Sequence, residues 1–147
     1  MLIDKLARQV KALELDLKGK TVLTEAASGA YVVTPVIAAL AGAKVFAYSK
    51  TTRYGKLEDV FSSTRELADT FRKYPLEIHF TEKITPEIVA ESDIITNSGH
   101  LRPLNEIMLS HAKNDLVIPL MYEAWEWREA GGGALRHIVQ RTGAERL

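Results

Sequence analysis

The alternation of strand and helix signals, with no hairpin turn between strands, predicts an α/β chain. The expected architecture is a doubly wound parallel sheet of about five strands with an N-terminal amphipathic helix. Two observations carry this. Lys20 to Arg53 reads as apolar strand, tight turn, apolar helix, strand and basic turn, one βαβ unit of about 30 residues whose crossover is expected to be right-handed. Beyond it, three more β-prone runs are separated by helix-start signals.

In chain order, Leu2, Leu6, Val10 and Leu13 recur at helical spacing among Lys, Arg, Asp and Gln, predicting an amphipathic helix over 2–14. It either packs on its own domain or faces a partner subunit. Lys18-Gly19 turns the chain into the first strand, Thr21-Val22-Leu23, which lacks alternation because both its faces are to be covered. Ser28-Gly29 breaks that strand. Residues 32–41 are apolar almost all round, as suits a helix packed on a sheet. Gly42 ends the helix, and Lys44 to Tyr48 forms the second strand.

Leu57, Val60, Phe61, Thr64, Leu67, Ala68 and Phe71 make an unbroken i, i+3, i+4, i+7 stripe, so a helix is expected until Pro75 stops it. Leu76 to Phe80 alternates as the third strand. Thr85-Pro86 reads as N-cap and first helical position of a short helix to about Ala90. Asp93 to Thr96 is the fourth strand, Pro103 opens a short helix to about His111, and Leu116 to Leu120 is the fifth strand. After Gly131-Gly132-Gly133, Ala134 to Leu147 reads at best as a weakly amphipathic helix (Leu135, Ile138, Val139, Thr142), and no further strand signal follows. Either the sheet stops at five strands or the polypeptide is shorter than its relatives. The expected division is a helix over 1–17, a sheet domain over 18–128, and a glycine-rich linker and tail over 129–147.

Nineteen basic residues balance nineteen acidic ones, so no nucleic-acid partner is expected. The chain has no cysteine, which excludes thiol catalysis, disulfides and thiolate metal sites. No apolar run approaches the roughly 20 residues of a membrane span, and no signal-peptide core precedes the first helix. A cytoplasmic protein without a membrane partner is the expectation. His79, His100, His111 and His137 are scattered, without H-x-x-x-H spacing, so no metal is expected.

Ligands of such sheets bind beyond the carboxyl ends of the strands, where strand order reverses. That rule selects four turns. In Glu25 to Tyr31, backbone N–H groups around Ser28, Gly29 and Ala30 open a helix and suit a phosphate. The G-x-G-x-x-G positions, counted back from Gly42, are instead Ala26, Ser28 and Tyr31. Glu25 either contacts a ligand or bonds backbone N–H groups within the turn. In Ser49 to Gly55 the usual acidic ribose ligand is missing. Ser49, Lys50 and Arg53 suit the 2′-phosphate of NADP instead, unless the turn is a solvated basic loop. In Thr96 to Pro103, His100 is a candidate general acid or base, against a hydrogen-bonding structural role, and Arg102 is a candidate carboxylate anchor. In Met121 to Trp127, Trp125 and Trp127 either cover the sheet end or an interface, or form a stacking wall.

Lys20 to Lys50, Ser92 to His100 and Val117 to Leu120 together resemble the NAD(P)-binding Rossmann domain of amino-acid and 2-hydroxyacid dehydrogenases and of adenosylhomocysteinase. The likeness runs over residues 18 to 122, with an atypical glycine fingerprint. It implies pyrophosphate contacts at Ser28, Gly29 and Ala30, adenosine-ribose contacts at Ser49, Lys50 and Arg53, and nicotinamide-ribose contacts at Asn97, Ser98 and Gly99. The function it implies is an oxidoreductase, or the cofactor-binding part of one. Its cofactor is NADP (or NAD), its substrate a small carbonyl or imine compound, with His100 and Arg102 catalytic and a homodimer as the assembly. The alternative is a non-catalytic nucleotide-binding or assembly module of the same fold. A methyltransferase fits less well, since the Ser49-Lys50 turn lacks the acidic ribose ligand.

Overall fold

The computed structural model describes residues 2–27, 32–50, 57–70, 76–98, 101, 104–119 and 145–146. Its strands are β1 (Thr21–Glu25), β2 (Lys44–Tyr48), β3 (Glu77–Thr81), β4 (Ile94–Ile95), β5 (Val117–Ile118) and β6 (Glu145–Arg146). Its helices are α1 (Leu2–Ala12), α2 (Val33–Leu40), α3 (Leu57–Asp69), α4 (Pro86–Glu91) and α5 (Glu106–Leu109).

The strands pair in the order β3-β2-β1-β4-β5-β6, every pair parallel. β1 therefore has strands on both sides, and successive residues serve opposite faces. Val22 joins Ala38, Ala39, Ala43 and Val45 beneath α2, while Ala26 and Ala47 meet Leu57 and Phe61 of α3 on that same layer. Leu23 and Ile95 belong to the opposite layer, with Val89 of α4, Leu109 of α5, and Leu101, Leu104, Leu116 and Ile118. Helices cover both faces, so the sheet is doubly wound.

Local signals explain most boundaries. The Thr85 hydroxyl accepts a hydrogen bond from the Ile88 N–H at 3.2 Å, capping α4, whose first residue is Pro86. Gly42, at φ +101°, closes α2 through a Schellman motif. Its N–H reaches the Ala39 carbonyl at 3.0 Å, and the Ala43 N–H reaches that of Ala38 at 3.2 Å.

Several boundaries differ from expectation. α5 starts at Glu106 rather than at Pro103, because the Asn105 side chain accepts from the Met108 N–H at 2.8 Å and sets the cap there. α1 ends at Ala12, and Glu14 beyond it has a positive φ. The fourth and fifth strands are two residues each, although hydrogen bonds from Asp93 and Thr96 N–H groups to Thr21 and Leu23 continue the run of β4 beside β1. A sixth strand also exists: Glu145–Arg146 lies parallel beside β5. Two charged residues carry neither alternation nor β-propensity, so nothing in that pattern announces it. Phe71, Pro75, Pro103 and Leu120, invoked above at element ends, lie outside the described residues.

α1 packs on α2, so the first helix does lie on its own domain. Its stripe is only partly covered: Leu6, Ala7 and Val10 are half-buried, and Leu13 is 74% exposed. At the amino ends of the strands, Asp93 ties three elements together. Its carboxylate accepts from the Thr21 N–H at 2.8 Å and from Lys113 Nζ at 2.9 Å, while its carbonyl accepts from the Val117 N–H at 3.0 Å. Nearby, Lys44 pairs with Glu91, which holds its ammonium above the usual value. None of the described helices is long and apolar enough to cross a membrane.

Candidate functional site

After β1, β2 and β4 the next residue bonds the strand beside it. The Ala26 N–H donates to the Tyr48 carbonyl at 2.8 Å, Ser49 N–H to Thr81 at 3.1 Å, and Thr96 N–H to Leu23 at 3.0 Å. The carboxyl ends of β1 and β2 are level, Glu25 lying opposite Tyr48, while β4 ends at Ile95 opposite Leu23. Because β1 is followed outward by β2 on one side and β4 on the other, the direction of winding reverses between β1 and β4. That is where an open α/β sheet leaves a crevice.

The floor of the first turn is covered. Ala26 is buried against Ala47, Leu57 and Phe61, so a small side chain is needed there for α3 to approach. Glu25 is half-buried at the strand end. Ser28, Gly29 and Ala30 lie outside the described residues, as do Tyr31 and Arg53. At the end of β2, Ser49 is fully buried and Lys50 is exposed.

The end of β4 is the most polar part of the interior. Asn97 is fully buried, and Thr96 and Ser98 are buried beside it. Thr96 Oγ1 lies 2.8 Å from Thr24 Oγ1 and 2.9 Å from Ser98 Oγ, so three hydroxyls form one chain across β1 and β4. Sequence reading singled out Asn97 and Ser98 but gave Thr24 and Thr96 no role. The available signal was a threonine closing each of two otherwise apolar runs, Val22-Leu23-Thr24 and Ile94-Ile95-Thr96.

Beyond the end of β4, Leu101 is held in the core. The Leu101 N–H donates to the Ser98 carbonyl at 3.0 Å, and the Leu101 side chain is buried with Leu23, Ile95 and Leu104. His100 and Arg102 flank this anchor in sequence. Both, with Gly99 and the tryptophans, lie outside the described residues. Among the described residues no group of three His, Asp or Glu is placed to hold a metal ion.

Strand order, two-sided helical cover and polar strand ends define a Rossmann-like α/β domain. No family model matches the sequence, and no curated protein matches it. Solved structures do share its fold. Shikimate 5-dehydrogenase from Listeria monocytogenes, in complex with shikimate and NAD, superposes with a TM-score of 0.63 at 18% identity, covering 95% of this chain and 49% of that one. The A chain of dipicolinate synthase from Bacillus subtilis gives 0.58 at 18% identity, covering 99% and 44%. A D-isomer specific 2-hydroxyacid dehydrogenase from Lactobacillus delbrueckii ssp. bulgaricus, in its NAD-complexed form, gives 0.53 at 17% identity, covering 88% and 35%. The chain spans about half or less of each of these structures. The common ground is the fold.

Proposed function

We propose that the chain is the NAD(P)-binding domain of an oxidoreductase acting on a small carbonyl or imine compound, with NADP preferred. The observation that carries this reading is the reversal of strand order between β1 and β4, with buried polar residues at the β4 end. Dinucleotides bind across that crevice in sheets of this order.

Residue roles follow the turns. Backbone N–H groups of Ser28, Gly29 and Ala30 receive the pyrophosphate. Ser49, Lys50 and Arg53 surround the adenosine ribose and its 2′-phosphate, a role that the exposure of Lys50 beside buried Ser49 supports. Asn97, Ser98 and Gly99 hold the nicotinamide ribose. His100 moves a proton to or from the substrate oxygen or nitrogen, and Arg102 anchors a substrate carboxylate. The nicotinamide, when bound, supplies hydride chemistry. We place the protein in the cytoplasm as a homodimer, with the half-covered stripe of α1 as the contact.

Titration with NADPH and NADH, followed by tryptophan fluorescence and thermal denaturation, tests the reading. Saturable quenching with a rise in midpoint is expected. Absence of both with either dinucleotide overturns it.

A second reading is a nucleotide-binding or assembly module without turnover. The feature that favours it is the altered first turn, where Ala26, Ser28 and Tyr31 stand at the glycine positions. It predicts the same binding with no NADP reduction across a panel of small hydroxy and amino acids, and measurable reduction rules it out.

A further inference from the structure

Three hydroxyls bonded in a row stand at the carboxyl ends of β1 and β4, where the strands themselves are built on apolar residues. Thr24 is fully buried, Thr96 nearly so, and Ser98 is 9% exposed. A buried hydroxyl is costly unless it is bonded, and valine has the shape of threonine without that cost. Simple packing therefore gives no reason for Thr24 or Thr96.

The contacts run Thr24 Oγ1 to Thr96 Oγ1 at 2.8 Å, then Thr96 Oγ1 to Ser98 Oγ at 2.9 Å. Three hydroxyls carry three protons, and two O···O contacts use two of them. The remaining proton sits on Ser98, Thr24 or Thr96, according to which atoms donate. If Thr24 donates to Thr96 and Thr96 to Ser98, then Ser98 has its proton to give outward. If the direction reverses, Ser98 gives its proton to Thr96 and offers lone pairs outward. The Ser98 end stands in the turn after β4, at the crevice.

We propose that Thr24 and Thr96 are positioning residues. They set the orientation of the Ser98 hydroxyl so that it bonds a sugar hydroxyl of a bound dinucleotide on the nicotinamide side. A sugar hydroxyl both donates and accepts, which is what a chain of reversible direction matches; a phosphate or carboxylate only accepts. Cooperative polarisation along the chain strengthens the outer bond. This inference rests on the dinucleotide reading above, and it adds that Thr24, whose hydroxyl bonds that of Thr96, controls affinity through Ser98.

The test measures binding of NADPH and of adenosine 2′,5′-bisphosphate, which lacks the nicotinamide half, to the wild-type chain, T24V, S98A and the double variant. NADPH affinity is expected to fall roughly three- to ten-fold in T24V, with adenosine 2′,5′-bisphosphate affinity and the thermal midpoint unchanged. On the S98A background, T24V is expected to add no further loss, because its effect passes through Ser98. T24S is expected to restore wild-type affinity. Equal NADPH affinity in wild type and T24V, or additive losses in the double variant, overturns the proposal. Should T24V not fold, T96V is read in its place, with the same loss expected and the same additivity test against S98A. Failure of the wild-type chain to bind NADPH overturns the dinucleotide reading itself, so the two failures are distinguishable.

Discussion

Asp93 shows how one side chain can hold the amino edge of a parallel sheet. Burial pushes its carboxyl up, but the Thr21 N–H, the Lys113 hydrogen bond and charge, and the charge of Lys20 outweigh that and hold it below its ordinary 3.8. A carboxylate depressed in the folded state stabilises the fold fully above its unfolded value and loses that contribution as pH falls through the folded one. D93N is therefore expected to lose about 1–3 kcal/mol at pH 7 in urea unfolding, with the gap to wild type narrowing as the pH drops below 3.8. A gap of constant size down to pH 2 would mean the carboxylate charge is not what matters. Gly42 is a second such position. Its φ is +101°, and an added Cβ would stand 3.2 Å from the Lys18 backbone. G42A combines a strained conformation with a close backbone contact, so a loss of about 1 kcal/mol or more is expected; an unchanged urea midpoint would refute this.

Among the elements, α4 is the helix whose side-chain cap is legible in the sequence. Thr85 and Pro86 start α4 as their order in the sequence implies, and T85A is expected to cost about 1 kcal/mol by urea denaturation. A loss below a few tenths would show that α4 is held by packing alone. The start of α5 was misjudged, because Pro103 and Asn105 are both acceptable helix openers and only the hydrogen bond to Met108 separates them. Strands were legible wherever the apolar run was long, as in β1 and β2. They were poorly bounded in β4 and β5, where the ladder is short although the chain continues alongside.

For the whole molecule, the order β3-β2-β1-β4-β5-β6 sets where the strand-end turns meet and so where a ligand is sought. On the NADP reading, Lys50 at the exposed end of β2 reads the 2′-phosphate. K50E is expected to weaken NADPH binding on the order of ten-fold or more while leaving NADH nearly unchanged. Equal effects on both dinucleotides, measured by fluorescence titration, would remove Lys50 from that role.

Composition and local pattern were enough to establish an α/β chain, its parallel sheet, most of its helices and the four turns worth suspecting. These follow from the 2.0 and 3.6 periods and from capping chemistry, which act between residues close in sequence. Tertiary structure alone decided that Thr24 meets Thr96 across 72 positions, that Asp93 reaches Thr21 and Lys113, that Leu101 is buried with Leu23 and Ile95, and that Glu145–Arg146 extends the sheet. Each of those depends on which strands become neighbours, and neighbourhood in a sheet is settled by how both faces are buried, not by any one segment's own preference.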